Sequence, residues 1–191
     1  MSGGHGESEA NDWRPGLTRR AIAKRRQGRP IAIRGGPRLG KRFLAERIRG
    51  ATEAGAASIV ILDEPGAEAP PGAFEIPLMP IPRHHVQRLF DEAMWSATAG
   101  HPFLIAGVLA DRLDAHRQIL CHALEPYRQA APAAFDAWER ARRFEGTPTE
   151  RYRALREFFA APKSTLDRAS RLGLLNRSMF GDAAGLVAVP L

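Results

Sequence analysis

The run Gly35-Gly36-Pro37-Arg38-Leu39-Gly40-Lys41-Arg42 constrains this chain more than any other feature. It matches the pattern G-x-x-x-x-G-K-[ST] at every place but the last, where an arginine stands in for the hydroxyl residue. A loop of this kind needs a strand before it and a helix after it. Pro30 to Arg34 is a short β-rich run, and Phe43-Leu44-Ala45-Glu46-Arg47-Ile48 opens a helical period that extends to about Ala54, with Gly55 as its cap. The chemistry of such a loop is anion binding. Glycines let successive backbone N–H groups converge on a phosphate, and the helix N-terminus adds its partial positive charge. Lys41 reaches the outer oxygens as a mobile point charge. Residues Gly35, Gly36, Pro37, Arg38, Leu39, Gly40, Lys41 and Arg42 are therefore candidate ligands of a nucleotide phosphate chain, with ATP or ADP as the expected cofactor. Arg42 argues against Mg²⁺: a guanidinium has only donors, whereas the Ser/Thr hydroxyl it replaces offers the metal an oxygen.

Ser58-Ile59-Val60-Ile61-Leu62-Asp63-Glu64 reads as a buried parallel strand that completes a β-α-β unit. Its acidic end has two readings. In one, Asp63 holds a metal and Glu64 acts as a catalytic base, giving with Lys41 an ATP-hydrolysing site. In the other, the acids mark a strand leaving the sheet into the turn at Pro65-Gly66.

A chain of 191 residues fits one domain or two very small ones. No run approaches the roughly 18 apolar residues that span a bilayer, and the N-terminus is polar and acidic before it turns basic. A cytoplasmic protein with no membrane partner is expected. Charge is uneven: residues 1–50 hold 13 Lys/Arg against 4 Asp/Glu, residues 51–137 hold 5 against 11, and residues 138–191 hold 10 against 6. Basic ends around an acidic middle favour contact between the segments or with an anionic partner. The densest basic run, Arg19-Arg20, Lys24-Arg25-Arg26 and Arg29, lies in a helix expected over Thr18–Gln27.

Residues 65–82, with six prolines, form a connector in which Phe74 to Leu78 is a short edge strand. Helices are expected over Arg83–Ala97, Pro102–Leu113, Ala115–Tyr127 and Pro132–Phe144. Another, capped by Thr147 or Thr149, holds Tyr152, Leu155, Phe158 and Phe159. A last helix runs from Pro162 to Leu172 and ends at Gly173. A hairpin follows, with Gly181-Asp182 in its loop and Leu186 to Val189 in its second arm. Cys121, the sole cysteine, forms no internal disulfide and is expected as a small buried helix residue. His84-His85 lacks a third ligand at zinc spacing, and no metal site is assigned. His101 either contacts a base or phosphate, or caps a helix at the core's edge. No G-x-S-x-G or H-E-x-x-H pattern occurs.

The order of these motifs resembles the STAND branch of the AAA+ P-loop ATPases, the signal-transducing class. Leu78-Met79-Pro80-Ile81-Pro82 is similar to that class's strand exit. Ala97-Thr98-Ala99-Gly100-His101-Pro102-Phe103 is similar to its helical-lid motif, and Tyr152 to Leu191 to its winged helix. The resemblance implies that Pro102 packs near the adenine. It also implies a division into a disordered leader (1–17), a reduced nucleotide-binding α/β subdomain (18–82), a mainly α-helical lid (83–146) and a winged-helix-like end (147–191). Only about 40 residues separate the glycine loop from the lid-like segment, so the family's catalytic middle is absent. The sheet that remains has an exposed edge, which implies a partner protein. The expected function is a hydrolysis-deficient, nucleotide-binding regulator or adaptor. The alternatives are an active ATPase using Lys41, Asp63 and Glu64, and a DNA-binding regulator whose last helix and hairpin present Lys163, Arg168, Arg171 and Arg177 to nucleic acid.

Overall fold

The computed structural model describes residues 14–53, 56–64, 66, 68–157, 159–180 and 183–191. Its N-terminal part runs α1 (Pro15–Arg26), β1 (Ile31–Gly35), α2 (Lys41–Gly50), β2 (Ile59–Asp63) and β3 (Phe74–Pro77). The three strands are all parallel, in the order β2-β1-β3, with Ile33 of β1 level with Ile61 and Ile76. Alternation along a strand sends Ile31, Ile33 and Ile76 to one face, where Ala21 of α1 and Leu44 and Ile48 of α2 close over them. Mixed α/β architecture and the β-α-β unit thus follow from the periodicities of the sequence.

Several boundaries differ from expectation. Pro15 starts α1, so residues 15–17 of the expected leader are helical, with proline at a position that needs no N–H. The leader up to residue 13 lies outside the described residues, as does the expected cap at Gly55. β2 is not buried on both sides: it lies at the sheet margin, and Ile59, Val60 and Ile61 are only half-buried. An apolar run reads the same in a central strand as in a marginal one.

The rest of the chain is helical until its end: α3 (Arg83–Leu89), α4 (Glu92–Thr98), α5 (Pro102–Leu109), α6 (Leu113–Ala130), α7 (Pro132–Arg143), α8 (Pro148–Glu157) and α9 (Lys163–Leu172). An antiparallel hairpin, β4 (Leu175–Phe180) and β5 (Ala183–Ala188), closes it. The single helix expected over Arg83–Ala97 is two, because the Asp91 carboxylate accepts from Met94 N at 2.7 Å and starts a new helix there. Thr147 caps α8 through a reciprocal pair with Glu150: Glu150 Oε2 accepts from Thr147 N at 2.8 Å, and Thr147 Oγ1 accepts from Glu150 N at 3.2 Å. Phe158 and the hairpin-loop residues Gly181 and Asp182 lie outside the described residues. Cys121 is exposed, against expectation, because α6 turns Leu120 and Leu124 inward and leaves position 121 on the wet side.

The largest core joins α6, α7, α8, α9 and the hairpin around Leu124, Phe135, Trp138, Leu155, Leu166 and Leu186, and Trp138 Nε1 donates to Val189 O at 3.0 Å. One buried side chain fastens this core to the sheet's exit. Asn176 of β4 donates from its amide nitrogen to Ile81 O at 2.8 Å and Ala99 O at 2.7 Å, while its Oδ1 accepts from Ser178 Oγ at 3.1 Å. Replacing it with alanine leaves two buried carbonyls without a donor, each costing about 1–3 kcal/mol. Asn176→Ala is expected to lower stability in urea unfolding by about 3 kcal/mol, whereas Ser178→Ala, which keeps both amide bonds, costs less than half of that.

Candidate functional site

β1 ends at Gly35, level with Asp63 at the end of β2, and the chain then turns through Gly36 to Gly40 into the first turn of α2. The turn is tight: Arg38 and Gly40 both adopt left-handed φ, of 60° and 86°. An arginine there carries a strain of order 1 kcal/mol. Lys41, the first residue of α2, is 8% exposed and folds back into the turn. Its ammonium donates to Gly35 O at 2.6 Å, to Gly36 O at 2.8 Å and to the Asp63 carboxylate, which satisfies all three of its N–H groups. Arg42, at the place of the missing hydroxyl, is exposed on the first turn of α2.

Glu64 is 5% exposed and lies beneath two guanidinium groups, Arg171 Nε at 3.1 Å and Arg34 Nε at 3.7 Å. Arg34 Nε also lies 3.5 Å from Glu75. Both acids at the end of β2 are paired with cations, Asp63 with Lys41 and Glu64 with Arg171 and Arg34.

The region around Pro102 also reaches the turn. The Arg38 guanidinium sits 5.1 Å above the ring of Phe103 in the first turn of α5. A side chain on Gly173, at the end of α9, would lie 2.9 Å from His101 Nε2 and 3.2 Å from Leu39 Cδ2, so these three residues meet behind the turn. Arg14, ahead of α1, donates to Met79 O at 2.7 Å and to Leu39 O at 3.4 Å. The residues named from sequence at 35–42, at 63–64 and at 102 are thus gathered at one end of the sheet.

Sequence reasoning missed the contact that closes this site. Gly36 N donates to Arg171 O at 2.6 Å, so the last turn of α9 supplies an internal acceptor to one of the turn's amides. The approach is so close that a Cβ on Gly36 would come within 2.7 Å of Leu172 Cα. A second glycine in the motif serves a bare backbone approach, and the sequence could have signalled that something must pass there, but not that it is α9. No protein-family model, curated protein or solved structure matches this chain.

The four basic residues of the nucleic-acid alternative are not displayed together. Arg171 pairs with Glu64, Arg168 Nη2 donates to Ala130 O at 3.3 Å, and Arg177 pairs with Asp167 at 2.5 Å. Lys163 alone of the four is exposed, the others being half-buried. Among the described residues no group of three or more His, Cys, Asp or Glu side chains could hold a metal ion, and no helix is long and apolar enough to cross a membrane.

His101 is completely buried; its side chain makes no cap bond, and both ring nitrogens lack a protein partner. Burial, with a smaller push from the Arg14 cation, lowers its pKa to about 3, so the ring is neutral. Burial, and then the Asp63 charge, raise the Tyr127 phenol above its ordinary value.

Two tests follow. Gly36→Ala forces its methyl into the backbone of Leu172, and unfolding measurements should show a loss of about 1–3 kcal/mol. The second concerns pH. Unfolded His101 takes up a proton near pH 6.5, whereas the native ring stays neutral until about pH 3. Between those values the unfolded state binds more protons, so stability falls as pH drops, by about 1.4 kcal/mol per pH unit at most. His101→Phe is expected to remove that slope and to leave stability above pH 7 little changed, as read from the difference between the two proteins' stability–pH curves.

Proposed function

We propose that this chain is a nucleotide-responsive regulatory or adaptor protein of reduced STAND type, which binds ATP or ADP weakly, does not hydrolyse it, and works through a protein partner. The observation that carries the reading is the position of Lys41: a buried ammonium at the start of a helix, seated in a glycine turn after a central parallel strand and held by two turn carbonyls. In the absence of an anion those carbonyls and Asp63 satisfy it. A phosphate group would take over the ammonium and the turn's amides, drawing on the helix N-terminus as well.

Binding is an exchange of partners. Lys41 must leave Asp63, and Gly36 N–H must leave Arg171 O, so much of the gross attraction is offset and the affinity is low, with a Kd of about 0.1 mM or weaker, near −5.5 kcal/mol. Hydrolysis is disfavoured on two counts. Arg42 brings a cation to the place where a hydroxyl would ligate Mg²⁺, and the Glu64 carboxylate is held by Arg34 and Arg171. Pro102 and Phe103, the latter beneath the Arg38 guanidinium of the turn, are the residues expected to meet the base of a bound nucleotide.

Calorimetric titration with ADP and ATP, with and without Mg²⁺, tests the reading. The expected result is weak binding that Mg²⁺ does not strengthen, that Lys41→Ala abolishes, and that is not accompanied by phosphate release. Mg²⁺-dependent turnover lost on Glu64→Gln would instead make the protein an ATPase. Salt-sensitive DNA binding weakened by Lys163→Ala would favour the nucleic-acid alternative.

A further inference from the structure

His101 is a costly residue where it stands. It lies just ahead of α5, completely buried, at the seam where the glycine turn meets the end of α9. Gly173 approaches its ring so closely that a Cβ there would lie 2.9 Å from Nε2, and the same Cβ would lie 3.2 Å from Leu39 of the turn. Arg14, which donates to Leu39 O at 3.4 Å, sets a positive charge near the ring. The backbone of His101 is well served: its N–H donates to Thr98 O at 2.9 Å, and its carbonyl accepts from Ile105 N at 3.0 Å. The ring is not, since among the described residues neither nitrogen has a partner. Buried polar atoms without partners weigh against the state that buries them, and an imidazole is hydrated and readily protonated once water reaches it. A phenylalanine would fill about the same space without that penalty. The closed seam thus seals in a group that is better served when the seam is open.

We propose that the seam between the glycine turn and the last turn of α9 is an acid-sensitive latch, in which His101 is sealed as a neutral ring while the seam is closed and takes up a proton when it opens. Two polar ties from the last turn of α9 cross the seam, the Gly36 N–H to Arg171 O bond and the Arg171–Glu64 pair. Opening breaks these and parts Gly173 from His101. Leu166 and Ala169, in earlier turns of α9, remain in the largest core, and Asn176 keeps the hairpin fastened to Ile81 and Ala99. The event is therefore local, a parting of the seam and not the unfolding of the chain.

The sign of the effect follows from the two states of the ring. Closed, His101 stays neutral down to about pH 3; exposed to water, an imidazole binds its proton near pH 6.5. Between those values the open form holds one proton more than the closed form, so acidification favours opening, by about tenfold per pH unit at most. The surroundings reinforce this. Arg14 is a cation and repels an imidazolium in the closed seam, while Leu39, Thr98 and Gly173, the residues against His101 from the turn, from α4 and from α9, carry no charge. The acids of the seam are already paired, Asp63 with Lys41 and Glu64 with Arg171 and Arg34, so neither is spare to hold a buried imidazolium.

Native-state amide exchange of the full chain, without nucleotide, between about pH 5 and about pH 7.5 is the test; this window lies above the ordinary range of carboxylates. Opening at Gly36, whose N–H is the donor across the seam, is compared with opening at Trp138 and Ala141, buried in the largest core, which report global unfolding. Gly36 is expected to open more often than either at every pH. Its open population, corrected for intrinsic exchange, is expected to rise about thirtyfold from about pH 7.5 to about pH 5. Because the chain has six histidines, the assignment rests on variants at position 101. His101→Phe, and independently His101→Gln, should keep the local opening at Gly36 while flattening its rise to less than about threefold. Protection of Gly36 equal to that of Trp138 and Ala141 overturns the proposal, because the seam then parts only when the chain unfolds. A Gly36 opening that does not vary with pH also overturns it, and so does a folded variant of either kind that keeps the parent's rise. Because no nucleotide is present, failure here leaves the phosphate-site reading untouched, and the reverse also holds.

Discussion

One backbone hydrogen bond, from Gly36 to the carbonyl of Arg171, joins the first crossover of the chain to its last helix. Around it lie the Arg171–Glu64 ion pair, the packing of Leu39 against His101 and Gly173, and the seating of Lys41 within the turn. The bond sets a steric rule as well as an energetic one. Position 36 has no room for a side chain, and a glycine there would be required even if no ligand ever visited the turn. A glycine there is demanded by the close approach of the chain, which is also what close approach of an anion would ask for, and the sequence motif alone does not separate the two.

A three-stranded parallel sheet is small for its class, since parallel sheets are usually covered on both faces and extended at both margins. Here α1 and α2 cover one face, and the last turn of α9 meets the sheet at its end. The stitching by Asn176 compensates at that end: a single carboxamide ties the hairpin to Ile81 and Ala99, which flank the entry and exit of the α3–α4 segment. The margin at β2 gets no comparable treatment from the described residues. The short sheet goes with the brevity of the stretch between the glycine turn and the helical half.

Much of this was legible in the sequence because it depends on local rules. Glycine spacing and a change of period give β1, the turn and α2, and the apolar run gives β2; Gly173 ends α9, and Thr147, one of the two candidate caps, starts α8. What was not legible depends on sums of local effects or on distant pairing. The break at Asp91 sits inside an unbroken helical period, where the cap outweighs continuity. The exposure of Cys121 depends on which stripe of α6 faces the core. The ion pairs of Arg171 and Arg177 were not foreseen: basic residues on a terminal helix look like donors for a partner until their acids are found at positions 64 and 167. Neither pairing leaves a trace in spacing.

The seam also bears on how the proposed nucleotide could act on the protein without being hydrolysed. If a phosphate takes the Gly36 amide and the Lys41 ammonium, the Arg171 carbonyl and the Asp63 carboxylate must find other partners, so ligand and α9 compete for the same donors. Competition of this kind couples occupancy of the turn to docking of the helix that carries the largest core. Its reach is bounded by the difference in affinity between docked and undocked forms. Asn176 limits the travel, because the hairpin stays fastened to Ile81 and Ala99 whatever happens at Gly36. A tilt of the last turn of α9 about that buried amide would be compatible with both ties, and it would alter the setting of Glu64, which Arg171 holds from that turn.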